Sequence, residues 1–156
     1  GTVFYKGNDI SDMDTITLRK EVLLVSQAVF LFDGTIAENF LEYYKYRDVS
    51  PLPENDFRKY LDICCADFPS DSRCETMSGG ERQRIFTAIC LSFKPKVLML
   101  DEPTSALDQA TARTFFQNVK EFCKSNGITI ITISHDENLV DTFADKKIYL
   151  EKRLNS

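Results

Sequence analysis

Asp101 and Glu102 follow directly on a wholly apolar run, Val97-Leu98-Met99-Leu100. Four apolar residues in a row fit a strand buried on both faces, as in a parallel sheet. Ligands of parallel sheets gather beyond the carboxyl ends of the strands, so these two carboxylates stand where a Mg2+ ion and a polarised water can be held. Successive residues at a strand exit point different ways, which suits two tasks. Asp101 is expected to face a metal-bound water and Glu102 an attacking water whose proton it takes. A lone Asp-Glu pair at such an exit is more often merely solvated, and the case rests on what else reaches the same edge.

Ser78-Gly79-Gly80-Glu81 opens a helical stretch. Ser78 with Glu81 three residues on is a capping box, which satisfies two orphan N–H groups and contributes about 1 kcal/mol. Two glycines in the first turn are poor helix formers that a cap alone does not need. They leave bare N–H donors where the helix dipole favours an anion, so phosphate contact and simple capping both stay open for this segment. His135 closes the run Ile128 to Ser134, and Gln27 follows the run Glu21 to Ser26. Each is uninformative alone. Together they put four polar features at the carboxyl edge of one sheet, the expected place for a nucleotide.

These residues require positioning elements. Residues 2–5 are β-prone and close on Lys6-Gly7-Asn8-Asp9, and residues 21–26 read as a second strand, so the chain is expected to open inside a sheet. Ile36, Phe40 and Tyr43 or Tyr44 recur at helical spacing over 35–46, and a second helix is expected over 56–65, after Pro51-Leu52-Pro53. A third covers 79 to 93 and stops at Lys94-Pro95. A long helix over 108–125 carries Ala112, Phe115, Phe116, Val119, Phe122 and Cys123 on one stripe, with Asn126-Gly127 as its stop. A strand over 128–134, a short helix over 137–143 and a strand over 147–150 complete the pattern. Strands alternating with helices across short links predict right-handed crossovers and an α/β fold with a parallel sheet.

Composition narrows the function classes. The length of 156 residues, 43% hydrophobic and 28% charged, is that of one globular domain. Nineteen Lys and Arg against 24 Asp and Glu give a net charge of −5, which opposes non-specific attraction to nucleic-acid phosphates or anionic lipid. Residues 28–77 hold five basic and ten acidic side chains, so that segment is unsuited to DNA or ribosomal RNA. Five cysteines and one histidine, with no Cys-x-x-Cys pair, read as reduced thiols of a cytosolic protein. No uncharged apolar stretch approaches the ~18 residues of a membrane span, and no basic region leads into an apolar one at the start, so the chain is expected neither to cross a membrane nor to be secreted.

In order, Gln27, Ser78-Gly79-Gly80-Glu81, Leu100-Asp101-Glu102-Pro103, Ser105-Ala106-Leu107-Asp108 and His135 closely resemble the nucleotide-binding domain of ABC transporters over residues 2–150. The resemblance implies a parallel-sheet α/β core of the P-loop NTPase type with a small helical subdomain, and ATP with Mg2+ as ligands. It implies that Gln27 is the Q-loop glutamine that touches Mg2+ and senses the membrane subunit. Ser78 to Glu81 would be the signature motif, binding the γ-phosphate of ATP held by the opposing protomer. Asp101 would be the Walker B metal carboxylate, Glu102 the general base, Asp108 the D-loop aspartate at the dimer interface, and His135 the switch histidine on the γ-phosphate. Residues 1–34 would be core with the Q-loop, 35–93 the helical subdomain ending in the signature helix, and 94–156 the core with Walker B, D-loop and switch.

Departures from the family pattern shape the expectation. None of the six glycines is followed by Lys, so the phosphate loop G-x-x-x-x-G-K-[ST] is absent from these residues. The chain is therefore expected to be truncated at its N-terminus relative to the family and, alone, not to bind ATP. Met77 stands for the usual signature leucine and Ser26 for a frequent proline. The 51 positions between Gln27 and Ser78 admit a compact helical subdomain but not a long coiled coil. The parent is expected to be a small stand-alone ATPase subunit, cytoplasmic and peripheral at the inner face of the membrane, paired head to tail with a second subunit and with a separate permease. Bacterial metal-efflux systems are the family members it most resembles. The rival readings are a soluble non-transport ABC ATPase and a catalytically silent binding module.

Overall fold

Side-chain oxygens that satisfy first-turn N–H groups fix where most of the helices begin. The computed structural model describes residues 1–53 and 56–149. Helix α1, Thr15–Glu21, is capped by Asp14, whose carboxylate accepts from the Thr17 N–H at 2.7 Å. Helix α2, Ile36–Tyr46, opens on a capping box between Thr35 and Glu38. Helix α3 is Phe57–Ile63, and α4, Gly79–Ser92, opens on the expected box between Ser78 and Glu81. Asp108 caps α5, Gln109–Asn126, which ends at Gly127 in the left-handed conformation (φ 67°) that a helix stop favours. Asp136 caps α6, Glu137–Phe143.

The strands β1, Phe4–Tyr5, and β2, Asn8–Asp9, pair antiparallel. The linking residues Lys6 and Gly7 both have positive φ, 50° and 82°, as a two-residue type I′ turn requires. The expectation that residues 2–5 lie in the main sheet is therefore corrected: the tight turn folds them back into a separate hairpin. Among the described residues the main sheet has the order β3 (Val22–Val25), β4 (Val97–Asp101), β5 (Thr129–Ile133), and both pairings are parallel. Helix α1 was not expected, and Glu21 ends it instead of opening β3. Among the described residues, 147–149 form no strand, which corrects that part of the strand expected at 147–150; Leu150 lies outside the described residues.

One face of the sheet carries the core. Val25, Leu98 and Leu100 are buried there, against α4 on the β3 side and α5 on the β5 side, with Ile85, Ala88, Ile89, Phe115 and Val119 between. Phe40 of α2 stacks on Phe57 of α3 with ring centroids 4.4 Å apart, joining the helical insert to the same core. Among the described residues the opposite face is left largely uncovered. Leu24, Met99 and Ile131 are in register across the three strands, and Leu24 and Ile131 are 54% and 50% exposed. The expectation of a strand buried on both faces is thus corrected for β4. Side chains alternate along a strand, and among the described residues the packed helices cover the Leu98 and Leu100 side alone. Among the described residues no helix is long and apolar enough to cross a membrane.

Candidate functional site

Parallel pairing brings the three strand exits to one edge. Val25, Leu100 and Thr132 are in register, and Asp101 stands opposite Ile133. Gln27, Glu102 and His135 follow within two residues of those exits. Gln27 and His135 are exposed, while Asp101 and Glu102 are half-buried.

Glu102 is held in an unusual conformation. Its N–H donates to the Ile133 carbonyl at 3.0 Å, which extends the pairing one residue beyond β4, and its φ is 49°. A left-handed backbone costs a non-glycine residue about 1–2 kcal/mol and turns the chain away from the strand direction. That turn separates the Glu102 side chain from the alternation that Asp101 still follows. The Oε1 atom of Glu102 is buried and, among the described residues, accepts no hydrogen bond. His135 Nε2 lies 3.5 Å from it, too long for a well-formed hydrogen bond, on a side chain 95% exposed. A buried carboxylate oxygen with no donor is costly unless another group completes it, and a water or hydrated cation fits that need.

At the head of α4 the box is drawn tight. The Glu81 carboxylate accepts from the Ser78 N–H at 2.7 Å and from the Ser78 hydroxyl at 2.8 Å, and these bonds hold its pKa below the ordinary glutamate range. The two glycines differ. A Cβ on residue 79 would meet nothing within 4 Å, whereas a Cβ on residue 80 would fall 2.7 Å from the Cβ of Ala106. Close packing against the loop after Glu102 explains Gly80, and only Gly79 is left bare by no packing need. The first-turn N–H groups of both have no intrahelical acceptor, which suits an anion. Asp108 is engaged as a cap: it accepts from Ala110 N–H and Thr111 N–H, each at 3.0 Å, and from the Thr111 hydroxyl, and its pKa is lowered by those bonds, the Thr111 hydroxyl first.

The sheet edge thus gathers Gln27, Asp101, Glu102 and His135, and the Ser78 to Glu81 group joins it through the Gly80–Ala106 contact. Two further side chains tie these parts together without a sequence signal to mark them. Gln83, one turn into α4, donates from Nε2 to the carbonyls of Ser26 (3.2 Å) and Asp101 (3.1 Å). Asn39, fully buried, accepts from the Phe32 N–H at 2.8 Å and donates to the carbonyls of Phe32 and Thr35, fixing the loop that follows Gln27. An Asn or Gln in a helical stretch looks like any polar surface residue until the packing is known.

A family model described as ABC transporter matches residues 1–105. ABC transporter I family member 17 of Arabidopsis thaliana is 35% identical over 92% of this chain and 55% of its own length. The probable iron export ATP-binding protein FetA of Escherichia coli (strain K12) is 31% identical over 97% of this chain and 67% of its own length. Protein STAR1 of Oryza sativa subsp. japonica is 32% identical over 93% of this chain and 42% of its own length. The chain therefore spans between two fifths and two thirds of these relatives. Among solved structures, a dimeric ATP-binding cassette in a post-hydrolysis state, bound to ADP and Pi, superposes with a TM-score of 0.71 at 26% identity, over 89% of this chain and 64% of that one. With the parallel sheet, its helices and this breadth of similarity in agreement, the chain belongs to the ABC transporter family.

Proposed function

We propose that this chain is the part of an ABC-type ATPase subunit that carries the hydrolytic edge and the signature helix, and that its parent powers transport through a separate permease. The observation that carries the reading is the buried, unpartnered Oε1 of Glu102 at the carboxyl edge of the sheet, beside His135. As general base, Glu102 takes the proton of the attacking water at Oε1, to which no described residue donates a well-formed hydrogen bond. His135 donates to the γ-phosphate from its exposed position at the same edge. Asp101 and Gln27 offer the hard oxygen donors that suit Mg2+, which when bound supplies neutralisation of the phosphate charge.

The N–H groups of Gly79 and Gly80, and the Ser78 hydroxyl on turning from Glu81, bind the γ-phosphate of ATP held by a second, head-to-tail subunit, with Glu81 still holding the Ser78 N–H and Asp108 at that interface. Residues 1–34 and 94–156 serve as core and 35–93 as the helical subdomain that meets the permease. No Gly-Lys pair occurs in these residues, so the chain alone is proposed not to bind ATP at micromolar concentration. The parent works in the cytoplasm, peripheral to the membrane, and the iron-export name of one relative supports a stand-alone subunit of an efflux system.

The test is Glu102→Gln in the full-length protein, which keeps the shape and cannot take a proton. Turnover should fall by about 10²–10⁴-fold while ATP still binds, and sedimentation should show an ATP-dependent dimer that Ser78→Arg abolishes. Hydrolysis at the unmodified rate, or a monomer with ATP bound, would overturn the assignment.

A further inference from the structure

Gln83, on α4, reaches two strand exits. It is 4% exposed, and its amide NH2 carries two hydrogens, enough for both carbonyls at once. The two acceptors are not arbitrary. The Ser26 carbonyl belongs to the peptide that leads into Gln27, and the Asp101 carbonyl to the peptide that leads into Glu102.

The second of these peptides is held at both ends. Its C=O accepts from Gln83, and its N–H, that of Glu102, donates to the Ile133 carbonyl. A residue in the left-handed region persists only where its surroundings over-determine it, and these two bonds are the restraints on the peptide that precedes Glu102. The helix that supplies Gln83 begins at Ser78, and its next residue back, Arg82, donates to the carbonyls of Cys74 and Leu31 on either side of the helical insert. One turn of α4 is therefore bonded to the loop before it, the loop after Gln27, and both strand exits.

We propose that Gln83 is a positioning residue. Its amide clamps the Ser26–Gln27 and Asp101–Glu102 peptides to α4, so that Gln27 and Glu102 of one chain are set by the helix whose first turn faces the second subunit. The proposal rests on the roles proposed above for Glu102 and Gln27.

The experiment uses the full-length protein and three substitutions. Gln83→Met keeps the length and removes the donor. Gln83→Glu keeps the size and sets a carboxylate against the two carbonyls. Gln83→Lys keeps a donor. Gln83→Met and Gln83→Glu should each lower kcat about tenfold with the KM for ATP within about twofold, and Gln83→Lys should restore most of the loss. A role confined to packing would change the melting temperature and leave kcat per folded molecule unchanged. Unmodified kcat in whichever of Gln83→Met and Gln83→Glu folds, or a loss that Gln83→Lys does not restore, overturns the proposal. Glu102→Gln is run beside them. If it stops hydrolysis while Gln83→Met does not slow it, the role of Gln83 alone falls; if it hydrolyses normally, the reading of the site falls and this proposal with it.

Discussion

Gly80 and Ala106 touch across the gap between the start of α4 and the loop that leaves β4, so closely that a Cβ on residue 80 would fall 2.7 Å from the Ala106 Cβ. Residue 80 lies in α4, and the Ser105 and Leu107 N–H groups, donating to the Glu102 and Thr104 carbonyls, hold the loop around Ala106. Gly80→Ala should therefore destabilise by about 1–3 kcal/mol from overpacking, less the roughly 1 kcal/mol that helix propensity returns. Gly79→Ala meets only open space and should be neutral or stabilising in urea unfolding, while weakening ATP-dependent association of the full-length protein. Equal stability changes at the two positions would contradict this division.

Acid should loosen the helix starts. Hydrogen bonds lower the pKa of Glu81, chiefly from the Ser78 N–H, and of Asp108, chiefly from the Thr111 hydroxyl. A carboxylate with a depressed folded pKa adds stability that is present above its unfolded value, about 4 for these residues, and lost as pH falls through the folded value. Urea midpoints should thus drop below about pH 4. Asp108→Asn keeps a capping oxygen and removes the titration, so its midpoint should depend less on pH. An unchanged pH slope in that variant would show that Asp108 takes no part.

Alkali acts through groups buried in their neutral forms. Burial pushes the thiols of Cys90 and Cys123, and the Tyr43 hydroxyl, up to about 12. Their unfolded values are about 8.5 for cysteine and about 10 for tyrosine. Between those values and 12 the unfolded chain binds fewer protons than the folded one, so stability falls as pH rises. The urea midpoint should be lower at pH 10 than at pH 8. At pH 8 iodoacetamide should modify half-buried Cys65 well before Cys90 and Cys123, which react only on unfolding. Equal labelling rates in the native protein would refute the burial argument.

The open face of the sheet makes the 156-residue chain sticky. Leu24, Ile131 and Ile133 form a contiguous apolar surface, and such surfaces drive association. Light scattering should show a mass above the monomer that rises with concentration. Ile131→Lys should bring it toward the monomer without lowering the unfolding midpoint. A monomeric unmodified chain at high concentration would count against this.

The range of the forces involved sets what the sequence shows by itself. Helix starts are local: a side-chain oxygen finds an N–H two or three residues on, so the Ser78–Glu81 box and the stop at Gly127 are legible from neighbouring residues alone. The α/β alternation and the motif order Gln27, Ser78, Asp101, Glu102 and His135 were legible for the same reason, together with the resemblance they carry. Helix α1 has only one local signal, the Asp14 cap before a short, mixed stretch, and the partner of residues 2–5 is decided by a type I′ turn and not by their apolar character. The burial of β4 was overstated because a run of apolar residues records hydrophobicity on both faces but not which face is covered. Tertiary structure alone decided that Gly80 answers to Ala106, that Gln83 bonds two strand exits, and that Glu102 Oε1 is buried without a donor. Each of those joins residues 18 to 57 positions apart or depends on the packing around an atom, and no local spacing encodes it.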